Sequence, residues 1–143
     1  MKFLISLALV LGLALMAAPD AQAAKSKRIS VTGEIVDTWC YVTEIMYGQG
    51  TAHHQCAIWC AVGGIPVSVK GDDGNVYVVL RVEGDDTSVA NPRILNIQTH
   101  KVTVDGDLYE RDGVKYLIVT KVANDAGIVN MTHEKYGIQP FGK

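Results

Sequence analysis

Most of the chain alternates between apolar and polar residues, which is the period of a β-strand with one buried face. The first such segment, ISVTGEIVD, spans residues 29–37 and places Val31, Gly33 and Ile35 on one face. Because the alternation continues in β-branched runs further along, the pattern predicts a mainly β protein.

Two turn sequences divide the later alternating runs into hairpins. The sequence GDDGN at 71–75 joins the first pair of runs, and Asp112-Gly113 joins the second pair. The strands of the second hairpin are predicted over 101–109 and 114–122. Gly33 and Gly106 interrupt strand patterns, which is typical of bulges or barrel corners.

Together these runs predict five strands, with a crossover at 87–101 that holds a short helix between the third and fourth strands. We therefore expect a mainly β fold, an OB-fold-like five-stranded antiparallel barrel over residues 24–123. The remaining residues, 124–143, form a tail without a clear period. A small antiparallel sandwich is the main alternative.

One segment between the first and second strands does not alternate. It predicts a helix over residues 51–63, with Thr51 as its N-cap and Gly63-Gly64 as its stop. We therefore expect a short helix inserted between strands 1 and 2 of the barrel.

This helix carries the octapeptide HHQCAIWC, residues 53–60. At 100° per residue, His53, Cys56 and Cys60 share an arc of about 60°, whereas His54 lies about 100° away from His53. The helix therefore presents one imidazole and two thiols along a single face.

Cys40 follows the first strand and could close over the same face. Three thiols and an imidazole suit a soft or borderline metal, such as Cu(I) or Zn(II). The sequence thus predicts a metal site formed by Cys40, His53, Cys56 and Cys60, with a copper or zinc ion as the cofactor.

Two other interpretations of the thiols remain open. A disulfide between Cys56 and Cys60 would require the helix to unwind, because helical neighbours are about 6 Å apart and disulfide Cβ atoms about 3.8 Å apart. Cys40 could instead pair with either of them and leave one free thiol. A redox-active thiol is disfavoured, since the chain has no Cys-x-x-Cys sequence.

Several nearby side chains have two interpretations each. Trp39 and Trp59 fit core aromatics better than walls of the site. Met46 fits packing better than a thioether ligand, and Asp37 fits a strand-end cap better than an orienting partner for His53. Three residues elsewhere are weaker candidates for copper: His100, Met131 and His133.

Composition limits the other classes of function. The net charge is −2 and no basic stripe is present, which argues against nucleic acid as a partner. The sequence contains neither a serine in a nucleophile elbow nor a glycine-rich phosphate loop, so we predict no catalytic residues.

The first residues are typical of a secretory signal peptide, predicted over 1–23. Lys2 supplies the positive charge, Phe3 to Met16 is apolar, and Ala21-Gln22-Ala23 provides a small-x-small cleavage site. The predicted location is the periplasm, without a membrane anchor after cleavage.

As a whole, the chain resembles small exported bacterial OB-fold-like barrel proteins with a cysteine-bearing insertion, a largely uncharacterised group. The resemblance implies the architecture and supplies no catalytic residues. We expect a periplasmic metal-binding protein whose partners are a metal ion and possible periplasmic proteins. The alternatives are a disulfide-stapled interaction module that binds a protein or glycan, and a haem-binding protein with His53 or a cysteine as axial ligand.

Overall fold

A computed structural model describes residues 23–82, 84 and 91–137, so the predicted signal peptide up to residue 22 lies outside the described residues. The strands are β1 (Lys27–Asp37), β2 (Val67–Gly71), β3 (Val76–Val82), β4 (Lys101–Arg111) and β5 (Val114–Asp125). The helices are α1 (Thr38–Thr43), α2 (Gly50–Val62), α3 (Pro92–Leu95) and α4 (Thr132–Tyr136).

The five strands close into a barrel in the order β1-β2-β3-β5-β4. This confirms the prediction of a mainly β, OB-fold-like barrel with a short helix inserted between strands 1 and 2. Four of the neighbouring pairs are antiparallel, and β3 pairs with β5 in parallel. The parallel pair arises because the crossover through α3 carries the chain to β4, from which the last hairpin brings β5 back beside β3.

Two glycines lie where the barrel bends. β1 pairs with β4 up to Glu34 and with β2 from Gly33 onward, so Gly33 marks the change of partner. A Cβ there would collide with the carbonyl oxygen of Lys70. At Gly106 the register of β4 against β5 shifts, and a Cβ would lie 2.5 Å from the carbonyl oxygen of Ile118. The predicted bulge or corner is therefore confirmed at both positions.

The barrel interior is filled mainly by aliphatic side chains from all five strands. Its cluster also takes in three residues from the helical segments, which close the ends of the barrel: Ala61, Ile94 and Ile97. The first half of β1 alternates as expected, but Glu34 and Val36 are buried as well. They are buried because the inserted helices and the chain after β5 cover the outer face of this strand.

The insertion contains two helices, of which only α2 was predicted. α1 forms because the side chain of Asp37 accepts a hydrogen bond from the Cys40 backbone N–H at 3.1 Å and so caps it. The prediction that Thr51 is the N-cap of α2 is wrong, because the helix begins at Gly50 and its N-cap is Gln49. Gly50 has a φ of +61°, which lets the chain turn into the helix.

The chain after β5 packs against the start of α2. The carboxylate of Glu34 accepts hydrogen bonds from the Gly50 backbone N–H at 2.6 Å and from the Asn130 side-chain amide at 3.1 Å. Thr51 forms hydrogen bonds with His133, whose ring is thereby engaged in holding α4. These bonds join the barrel, the insertion and the C-terminal segment. Among the described residues, no helix has the length and apolar character needed to cross a membrane.

Candidate metal centre

The site begins where β1 ends. Asp37 is the last residue of the strand and Cys40 lies in the first turn of α1, so the capping hydrogen bond brings the carboxylate and the thiol together. Asp37 is 1% exposed and Cys40 is 4% exposed. A carboxylate at this depth requires compensation, because burying an unpaired charge is strongly unfavourable.

α2 supplies the third side chain. His53 is 1% exposed, and its Nε2 lies 3.7 Å from Oδ2 of Asp37. One potential ligand atom from each of Asp37, Cys40 and His53 lies within 4.8 Å of the other two. Oxygen, sulfur and nitrogen donors therefore meet in one buried place, and the three residues could hold a metal ion.

The other nitrogen of His53 is held by the backbone. Nδ1 lies 2.7 Å from the carbonyl oxygen of Met46. A carbonyl only accepts hydrogen bonds, so Nδ1 carries a proton and Nε2 of the neutral ring carries a lone pair. Ligating histidines commonly have this arrangement, in which a hydrogen bond at one nitrogen orients the other toward the metal.

The loop that supplies this carbonyl has an unusual backbone. Glu44, Met46 and Tyr47 have φ values of +57°, +55° and +69°. Left-handed conformations of this kind are uncommon outside glycine, and they concentrate at functional sites. The loop folds back in this way and brings the Met46 carbonyl to the histidine.

The two facing atoms of Asp37 and His53 are the most informative feature of the site. Within the described part of the chain, neither Asp37 Oδ2 nor His53 Nε2 has a hydrogen-bond partner, and both atoms are buried. A carboxylate oxygen and a bare imidazole nitrogen are both electron-pair donors, so neither can satisfy the other. A cation shared by both, either a metal ion or a proton on the ring, would satisfy the pair.

The thiols are electrostatically linked to this centre. Burial, followed by the charge of Asp37, raises the pKa of Cys40 to about 11, while a hydrogen bond with Cys60 acts in the opposite direction. Burial, followed by interactions with Asp37 and Cys56, raises the pKa of Cys60 above its ordinary value. Both thiols are therefore protonated at neutral pH.

Of the four predicted ligands, the structure brings Cys40 and His53 together. Asp37 joins them, which the sequence had suggested only as a cap or an orienting partner; it caps α1 with one oxygen and faces His53 with the other. Cys56 and Cys60 lie outside the three-residue group, so their role as ligands stays a prediction. All three cysteines are free in the structure, without the disulfide that the alternative interpretation required.

The neighbouring histidine has different contacts. His54 Nδ1 lies 3.0 Å from the carbonyl oxygen of Gln98 and 2.9 Å from Oγ1 of Thr99, on the side of α2 that faces the end of the crossover. Its ring is near that of His100, with centroids 6.4 Å apart. The structure therefore places His53 and His54 on different sides of α2, as the 100° step per residue predicts.

The expectation that Trp39 and Trp59 are core aromatics is wrong. They are 54% and 60% exposed, because the inward positions of both short helices are taken by the buried site and by small residues such as Ala57. Met46 is 57% exposed and contributes its backbone carbonyl to the site.

A cleft of about 840 Å³ opens beside Cys40. Its walls come from α1, the loop after it and α4, and its lining residues are Cys40, Tyr41, Val42, Glu44, Met46, Tyr47, Gln49 and Tyr136. At this cleft, the Cys40 side of the buried centre lies next to the protein surface. Comparisons of this chain with protein-family models, curated proteins and solved structures found no match.

Proposed function

We propose that this protein is an exported, periplasmic metal-binding protein whose ion is held by Asp37, Cys40 and His53, with Cys60 as the fourth ligand. The observation that carries the proposal is the buried, mutually facing pair of Asp37 Oδ2 and His53 Nε2, at 3.7 Å and without other partners among the described residues. We assign Cys60 as the fourth ligand, because it follows His53 by about two turns on the same face of α2.

The donor set favours Zn(II) over Cu(I). Cu(I) prefers thiolate and thioether sulfur, whereas Zn(II) accepts carboxylate oxygen, imidazole nitrogen and thiolate sulfur in one tetrahedral site. Asp37 contributes a hard oxygen at the centre of the cluster, and the thioether of Met46 is directed to the surface. Of the two ions expected from the sequence, we therefore propose zinc.

A nucleophilic cysteine fits this geometry less well. An activated Cys–His pair needs a thiol of lowered pKa and an orienting group behind the ring. Here the pKa of Cys40 is raised to about 11, and the group behind the ring is a backbone carbonyl while Asp37 faces Nε2. Haem also fits poorly, because His53 and Cys40 are buried and a porphyrin needs an open face beside its axial ligand.

The substitution Asp37→Asn tests this function. The asparagine oxygen can still cap α1, and its amide can donate to His53 Nε2, so we expect the metal-free protein to keep its stability. Zinc affinity should fall at least about tenfold, since a charged ligand is lost. Competition with a chromogenic chelator under reducing conditions measures the affinity, and urea denaturation measures the stability.

Cys60→Ser and Cys56→Ser form a matched pair on the same helix. We expect Cys60→Ser to weaken zinc binding more than Cys56→Ser. If Asp37→Asn lowers the stability of the metal-free protein and leaves zinc affinity unchanged, the shared cation is a proton on His53 and the proposal is wrong.

A further inference from the structure

The insertion exposes a group of large apolar side chains beside the buried centre. Five of them come from α1 and the loop that follows it: Trp39, Val42, Ile45, Met46 and Tyr47. Two more, Trp59 and Val62, come from the last turns of α2. We call these seven side chains the apolar surface; each is between 44% and 63% exposed.

The two parts of the apolar surface are neighbours in the fold. Trp39 and Val42 are three positions apart and share one face of α1, as Trp59 and Val62 share one face of α2. The start of α1 is tied to the chain just after α2 by a hydrogen bond of 2.9 Å from the Thr38 N–H to the Pro66 carbonyl. Val42 and Met46 also line the cleft beside Cys40, so the surface reaches the mouth of the site.

The charges of the insertion help to decide which kind of partner covers the apolar surface. Residues 38–62 contain one acidic residue, Glu44, and no lysine or arginine. Proteins that lie on anionic membranes use clusters of basic residues around their apolar face, whereas the lysines beside this segment, Lys70 and Lys115, come singly from β2 and β5. A second copy of the same chain meets less difficulty, because the segment itself carries a single charge and two such surfaces can approach with little like-charge repulsion.

The area of the apolar surface also fits the binding of a second copy of the chain. With about 200 Å² for a large side chain, seven that are roughly half exposed present on the order of 700 Å². A stable protein–protein interface needs roughly 800 Å² per partner, with aromatic residues and methionine enriched at its centre and charges depleted. An apolar patch of this size is unusual on a monomeric protein.

We propose that the apolar surface is the interface of a symmetric homodimer, and that the second copy covers the mouth of the cleft beside Cys40. The same patch on both chains is what a two-fold interface requires. The dimer would limit access to the centre, so a metal ion held there would leave more slowly from the dimer than from the monomer.

Sedimentation velocity of the purified protein across a wide concentration range tests this proposal. We expect a monomer–dimer equilibrium whose dissociation constant rises about 100-fold with Val42→Glu or with Trp59→Glu, since each buries a pair of like charges at the two-fold interface. Ser30→Glu is the control; Ser30 is exposed on β1, seven residues before this strand reaches the insertion, and its substitution should have no effect.

The protein contains two tryptophans, and both belong to the apolar surface. Their emission should therefore shift to shorter wavelength as the protein is concentrated, with the same midpoint as sedimentation. Unchanged zinc affinity in the monomeric variants would leave the proposed function intact. A monomer at every concentration, or a blue shift that requires phosphatidylcholine vesicles, would overturn the dimer.

Discussion

The barrel and the insertion follow opposite rules of burial. Inside the barrel the side chains are mainly aliphatic and in mutual contact. Where β1 enters the insertion, polar side chains are buried instead, Asp37 at the end of the strand and His53 on α2, and the insertion exposes two tryptophans. We infer that the barrel supplies the stability and that the insertion departs from ordinary patterning because its side chains serve the proposed metal site.

The backbone shows the same contrast. In the barrel, non-glycine residues with positive φ are confined to turns, as at Asp112. Between the two inserted helices, by contrast, three residues adopt this conformation within a stretch of four. Each of these positive-φ conformations has a higher free energy than an ordinary backbone conformation. The barrel can hold the three residues in place because it is closed and tightly packed.

The largest expected effect separates stability from binding. Leu117 is fully buried in the barrel core, so Leu117→Ala should lower the free energy of unfolding by about 2–5 kcal/mol, because it removes contacts and leaves a cavity. Zinc affinity of the protein that remains folded should stay within about threefold of the original. Urea denaturation and chelator competition check the two quantities. An equal loss of affinity would show that the two regions do not act separately.

The next effect distinguishes two adjacent histidines on α2. His53→Ala should weaken zinc binding about 100-fold, the upper end of what the loss of a ligand or its close support causes. His54→Ala should change the affinity by less than threefold, because its ring contacts Gln98 and Thr99. Titration of both variants in the same chelator assay checks this difference. If the two substitutions are equally damaging, the helical phase assigned to the site is wrong.

A smaller effect concerns the loop carbonyl that orients His53. Met46→Gly keeps the carbonyl and accepts a φ of +55° without strain, so zinc affinity should be nearly unchanged. Met46→Val disfavours this backbone conformation and should weaken binding about tenfold by displacing the carbonyl. Chelator competition measures both. A large loss with Met46→Gly would show that the thioether itself is a ligand.

The smallest expected effect concerns a hydrogen bond at the turn between β2 and β3. Tyr77 donates a hydrogen bond to Asp73 at 2.6 Å, and burial followed by this bond raises the pKa of Tyr77 to about 12. The unfolded chain loses the phenol proton near its ordinary pKa of 10.0, so this contribution to stability is present below that pH and is lost as the pH rises toward about 12.

Tyr77→Phe should therefore cost about 1 kcal/mol at pH 7 and make the alkaline decline in stability shallower. Urea denaturation of both proteins at several values between pH 7 and pH 12 checks this. Parallel curves for the two proteins would show that the hydrogen bond has no such role. Zinc affinity at pH 7 should be the same in both.

The parts of the structure that follow from local periodicity could be predicted. Alternation gave the strands, the turn sequences gave both hairpins, and the 100° step separated His53 from His54. α1 was missed because it is six residues long and its stability depends on a cap from Asp37, not on its own helix propensity. Periodicity also gave no indication that β3 and β5 pair in parallel.

Only those relations within the candidate site that lie on a single helix could be predicted from the spacing of residues in the sequence. Cys40 was expected near His53 because the chain enters the insertion at that point, and the two side chains lie close together in the structure. The facing of Asp37 and His53 depends on how α2 packs against β1, which no spacing in the sequence encodes. The exposure of Trp39 and Trp59 was missed for a similar reason, since an apolar residue on a short helix has no periodic signal that says which face is covered.

X-ray absorption at the zinc edge of the reduced, zinc-loaded protein tests the central claim most directly, because it reports the atoms bound to the ion. We predict a four-coordinate shell with two sulfur neighbours at about 2.3 Å and two oxygen or nitrogen neighbours at about 2.0–2.1 Å. Cys40→Ser should remove one of the sulfur neighbours. A shell without sulfur, or a protein that retains no zinc under these conditions, would contradict the assignment of this buried cluster as a metal centre.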